Sequence, residues 1–96
     1  MPQVRWLKQA LSDLDRLLAF LKPLNEAAAH RALRKIQAAG SSLGKTPYQG
    51  VALSDQTGRR KLMVPFGKSG YVIYYILEHD TVVIIGVFHG REDRPH

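Results

Sequence analysis

The sequence predicts an α+β domain: an N-terminal strand, then an α-helical hairpin packed on an antiparallel β-meander, in the order β-α-α-β-β-β. Three observations carry this. The first half holds two runs of apolar residues at helical spacing, divided at Pro23. The second half holds three runs of strand composition separated by tight turns. The chain has 96 residues, 45% of them hydrophobic, which bounds the answer to one domain, residues 1–96, with a modest core.

"QVRWL" alternates, with Val4 and Trp6 on one side, and reads as a short strand. Leu7, Leu11, Leu14, Leu18 and Leu21 are spaced four, three, four and three residues apart, which puts them on one helical stripe. Asn25 is placed to cap the second helix, with Glu26 set well for the helix dipole. Ala29, Ala32, Leu33, Ile36 and Ala39 form its apolar stripe, and Gly40 is expected to end it. The link between the helices is short enough to demand an antiparallel hairpin. His30, Arg31, Arg34 and Lys35 fall mostly on the other faces of the second helix and read as a solvated surface.

Residues 44–60 are rich in turn formers and read as a long connection. "KLMVPF" is a strand with Leu62, Val64 and Phe66 on one face, and Pro65 marks it as an edge. "GKSG" and "HD" then turn the chain between "YVIYYILE" and "TVVIIGVF", both apolar on two faces. One helical layer covers one face of such a sheet. The other is either hidden by curvature or is a binding surface.

The formal net charge is +6, with a pI near 10. That favours an acidic partner, whether nucleic acid, ribosome or protein. The absence of cysteine excludes a disulfide framework and thiolate metal sites. His79, His89 and His96 with Glu92 and Asp93 match no ligand spacing, so neither metal nor cofactor is expected. The opening residues lack a signal-peptide core, and no apolar run approaches the roughly 18 residues of a membrane span. The expectation is a cytoplasmic protein.

Four features together carry a family resemblance. "VRWLKQALSDLDRLLAFL" joins an opening strand to a helix bearing an Asp-Leu pair. "LGKTPYQG" follows the second helix. "SGYVIYYILEHDTVVIIGVFHGRED" supplies a meander and a charged tail. The length and the element order match as well. In this combination the chain resembles the RelE/ParE superfamily of toxins from bacterial type II toxin–antitoxin systems. The resemblance implies a cognate antitoxin, acidic and ParD- or RelB-like, forming a hetero-oligomer with the toxin. It also implies one of two targets: DNA gyrase for ParE-like members, or mRNA on the ribosome for RelE-like members.

The two branches ask for different residues. An mRNA endonuclease needs a base for the ribose 2′-OH, a cation for the phosphorane charge and an acid for the leaving oxygen. RelE-like members typically place an Arg after the Tyr that opens the central strand. Here "YVIYY" has Val72 instead, which can neither clamp a phosphate nor move a proton. His89, Arg91, Arg60, Lys61 and Glu92 are the remaining catalytic candidates: His89 for its intrinsic pKa, the cations for charge, and Glu92 to orient His89. The resemblance is closer to the ParE-like branch, which needs no catalysis. There the target contacts expected are His89, Arg91 and Arg94 on the tail, hinged at Gly90, with Arg59 and Arg60. Leu11 and Leu18 on the first helix, with Val72, Tyr74 and Ile76 on the second face of the meander, are the expected antitoxin contacts. A basic nucleic-acid-binding module without toxicity is the reading from another class. Against it, no aromatic residues interleave with the basic cluster to form a stacking platform.

Overall fold

The computed structural model describes residues 3–92. The elements are β1 (Gln3–Trp6), α1 (Lys8–Leu21), α2 (Glu26–Ser42), β2 (Val51–Ala52), β3 (Arg60–Val64), β4 (Tyr71–Glu78) and β5 (Thr81–His89). They form a five-stranded sheet in the order β1-β5-β4-β3-β2, with the two helices against one face. The expected β-α-α-β-β-β order holds, with one strand added. No helix among the described residues is long and apolar enough to cross a membrane.

The meander pairs in antiparallel register, and its turns use left-handed residues: Gly67 and Gly70 between β3 and β4, and His79 between β4 and β5. β1 lies parallel to β5, Val4 opposite Val82 and Trp6 opposite Ile84. The helical hairpin is the crossover that parallel pairing requires. An irregularity between Tyr74 and Tyr75 leaves Ile85 without a partner on β4. One extra residue on β5 re-phases it, so that Val82, Ile84 and Val87 all reach the core with Ile73 and Tyr75. β2 was hidden in the sequence because Val51 and Ala52 are both exposed and carry no periodicity.

Two helix details depart from the sequence reading. The buried stripe of α1 is Ala10, Asp13, Leu14 and Leu17, while Leu11 is 48% exposed. Leu7 lies before the helix, and a leucine repeat averaging 3.5 residues drifts around a helix of 3.6, so the repeat and the buried face part company. In α2, Asn25 caps as expected, its side chain accepting from the Ala28 N–H at 3.0 Å. Gly40, however, does not end the helix, which continues to Ser42. A Cβ at Gly40 would stand 2.5 Å from the Trp6 ring, so this glycine serves close packing of α2 on β1.

The second face of the meander is largely closed by its own side chains. Val72 is 2% exposed, and Tyr74 and Val83 are each 5% exposed. Met63, Val72 and Phe88 are in register across three strands, and Phe88 meets Tyr74 edge-on at 5.7 Å.

Candidate functional site

β1 ends at Trp6, so β5 beyond Ile84 has an open edge. Helix α1 closes it with side chains. The Asp13 carboxylate, 4% exposed, accepts from the Val87 N–H at 3.0 Å, and Arg16 donates to the Val87 carbonyl at 3.4 Å. Gln9 donates to the same carboxylate at 3.1 Å, and Arg16 stands 3.7 Å from it. A buried carboxylate and a guanidinium thus replace the missing strand, which satisfies a backbone pair that would otherwise be costly to bury.

Arg16 also ties down the tail. Its guanidinium pairs with Glu92 and lies over the Phe88 ring at 5.7 Å. The other Glu92 oxygen accepts from the His89 N–H at 2.6 Å, and the Glu92 N–H returns to the His89 carbonyl at 3.0 Å. The tail therefore closes on itself as a turn through Glu92. Gly90 is not a hinge: its N–H donates to Gly70 O at 3.0 Å, and a Cβ there would collide with the Ser69 carbonyl. Glycine is required because two backbones touch.

Within this turn the His89 Nδ1 accepts from the Arg91 N–H at 3.2 Å, which leaves Nε2 as the protonated nitrogen of the neutral ring. The His89 ring packs edge-on against Tyr71 at 5.6 Å, and Tyr71 packs against Phe66 at 5.8 Å. Burial, and secondarily the Glu92 charge, hold the Tyr71 hydroxyl above its ordinary pKa. Tyr71, His89 and Glu92, with Arg16, Leu17, Phe20 and Leu21, line a cleft of about 340 Å³. Phe20 and Leu24, 72% and 70% exposed, stand at the end of α1 and in the interhelical link.

The sequence-predicted candidates divide. His89, Glu92 and Arg91 share the tail turn, with Glu92 holding the His89 backbone. Arg60 is elsewhere. Its register partner is Tyr75, whereas that of His89 is Tyr71, four residues along β4 and one strand further over. Backbone spacing alone separates Arg60 and His89 by about 16 Å. Arg60 donates to Gly50 O at 2.6 Å and Tyr48 O at 3.2 Å, and lies over the Tyr48 ring at 5.2 Å. Arg59 is bound to Asp55 at 3.2 Å and Thr57 at 3.1 Å. Lys61, opposite Tyr74, lies on the other face of the sheet from Arg60. Arg94 lies outside the described residues.

The five expected antitoxin contacts do not share a surface. Leu11 lines a groove of about 470 Å³ with Trp6, Leu14, Gln37 and Ser41 in the helical layer. Leu18 is half-buried on α1, and Val72, Tyr74 and the half-buried Ile76 belong to β4, where Val72 and Tyr74 offer almost no area. Sequence reasoning missed Asp13, Arg16 and Phe20 as parts of the site. A signal for Asp13 was present: it falls in phase with Ala10, Leu14 and Leu17, a charge on an apolar stripe.

Comparison with known proteins agrees with this geometry. The family model described as "ParE toxin of type II toxin-antitoxin system, parDE" matches residues 4–94. Toxin RelE1 of Caulobacter vibrioides is 35% identical over 86 residues, covering 90% of each chain. The structure described as the chromosomal ParDE TA system from P. aeruginosa superposes with a TM-score of 0.78 at 20% identity, over 93% of this chain and 96% of that one. The intact E. coli RelBE toxin–antitoxin complex gives a TM-score of 0.59 at 16% identity, over 98% and 100%. The relatives' names fall in both branches, but the family is common to them: this chain belongs to the ParE toxin family, within the RelE/ParE superfamily of type II toxin–antitoxin toxins.

Proposed function

We propose that the chain arrests growth as a ParE-like inhibitor of DNA gyrase, acting in the cytoplasm by protein contact, and that a cognate acidic antitoxin silences it. The observation that carries this is the separation of the strand cations, which an mRNA-cutting site would use, from the tail. Arg60 is bound to carbonyls of its own loop, Lys61 lies on the opposite face, and Val72 is buried. His89, Arg91 and Glu92 gather in the tail turn, but there Glu92 is committed to the His89 N–H and to Arg16, and the strand cations Arg60 and Lys61 stand apart from them. The tail turn, by contrast, is a surface feature: His89 and Glu92 line an apolar cleft, and the next residue but one after His89 is the exposed Arg91. Planar guanidinium groups suit contact with carboxylates of a protein target.

Pulse-labelling after induction tests the reading. Thymidine incorporation should fall first while methionine incorporation continues, and purified chain should block gyrase supercoiling. Early loss of methionine incorporation would favour mRNA cleavage and overturn the proposal.

A further inference from the structure

The structure brings together what the sequence kept apart. Arg31, Arg34 and Lys35 of α2 form one wall of a groove of about 480 Å³ whose remaining lining is Ala38, Phe66 and Gly67. Phe66 and Gly67 come from the β3–β4 turn, at the same end of the sheet as the tail, where Gly90 bonds Gly70. Lys35 Nζ spans the groove to donate to Pro65 O at 3.3 Å. Three cations at i, i+3 and i+4 repel one another on a helix. Among the described residues none of them reaches a carboxylate: the ion pairs are Arg16 with Asp13 and Glu92, His30 with Glu26, and Arg59 with Asp55. The repulsion is therefore unrelieved among the described residues, around a groove with an apolar floor.

We infer that this groove is a docking site for an acidic, amphipathic segment of a partner protein. It seats an apolar side chain on Phe66 and Ala38 between carboxylates that face Arg31, Arg34 and Lys35. The chemistry favours a peptide over nucleic acid. The three cations span only about 6 Å of helix rise, a patch for one or two carboxylates and not a track for a phosphate backbone. The Phe66 ring is half-buried and committed to Tyr71 at 5.8 Å, so it offers an apolar flank in place of a free face for a base. Under the toxin reading, on which this assignment of the bearer rests, the segment belongs to the antitoxin.

The test uses isotope-labelled full chain and a synthetic peptide of repeated Glu-Glu-Leu-Leu units, with oligothymidylate of equal charge as competitor. Amide shifts should concentrate at Arg31, Arg34, Lys35, Phe66 and Gly67. The variant Arg31→Gln/Arg34→Gln/Lys35→Gln should fold normally, since it relieves like-charge crowding, and should bind the peptide about tenfold more weakly with a flatter salt dependence. Peptide shifts elsewhere, unchanged binding by the variant, or tighter binding of the oligonucleotide at the groove would overturn the inference. Growth arrest by the wild-type chain expressed alone is scored separately. A chain that binds peptide here but never arrests growth overturns the antitoxin as bearer. A chain that arrests growth but binds peptide elsewhere overturns the groove alone.

Discussion

Strand β4 carries two core-facing tyrosines, Tyr71 at its start and Tyr75 four residues on, and their surroundings have opposite characters. At Tyr75 the hydroxyl accepts from the Gly50 N–H at 3.0 Å and donates to Pro47 O at 2.8 Å, while Arg60 binds the neighbouring carbonyls. The Tyr75 hydroxyl and one terminal nitrogen of Arg60 are both turned inward, on the chain's own loop. At Tyr71 an arginine, a histidine and a carboxylate also knit a backbone segment, but the knot borders an open cleft with Phe20 standing exposed on its wall. The same residue types build stability around one tyrosine and surface around the other. What differs is whether a long loop is present to absorb the arginine's hydrogen bonds. Substitutions can therefore separate the two surroundings.

The largest effect is expected at the joint between α1 and β5. Asp13→Ala removes the acceptor of a buried N–H and a partner of Arg16, and should cost about 2–3 kcal/mol in denaturant unfolding. It should also loosen the tail, because Val87 leads directly into it. If the tail amides keep their hydrogen-exchange protection in this variant, the tail is held without the helix. Next comes Tyr75→Phe, which leaves Gly50 N–H and Pro47 O unpaired in a buried place and should cost about 1–2 kcal/mol. Growth arrest by the stable fraction should be unchanged, since the surroundings of Tyr75 face inward. Lost toxicity at full folding would show that the comparison is drawn in the wrong place.

Arg16→Ala should be milder for stability, below about 1 kcal/mol, because the guanidinium is 44% exposed. Its effect should instead be local, with faster amide exchange at His89 and Glu92 and weaker gyrase inhibition than wild type. Stability and inhibition falling in parallel would make Arg16 only another structural residue.

The fold was largely legible because its signals are local: a proline between two apolar runs, an Asn cap, and short turns between the meander strands. The site was less so, because its partnerships are remote. Asp13 bonds a residue 74 positions away and Arg16 one 76 away. The sequence offered basic residues 59–61 and the tail as one surface, since both flank apolar strands. Register then placed Arg60 and His89 four residues apart along β4 and on opposite sides of it, and a loop without periodicity captured Arg60. Gly90 was read as freedom where it marks contact, because sequence shows the missing side chain and not the backbone beside it.

The smallest expected effect tests whether the tail is seated on Tyr71. Burial raises the Tyr71 pKa above its ordinary 10.0, and the Glu92 charge adds to it in the same direction. The folded state thus holds its proton more tightly than the unfolded chain. Stability from this group is complete below pH 10 and declines as pH rises through the folded value. Absorbance at alkaline pH should therefore show Tyr71 titrating later than free tyrosine, as the step that is lost in Tyr71→Phe. Glu92→Gln should move the Tyr71 midpoint down by a small amount, because it removes the lesser of the two causes and leaves the burial. An unmoved midpoint would mean that the carboxylate does not sit beside Tyr71 in solution, and the Tyr71 end would then be an open rim, with the tail turn no longer part of its cleft.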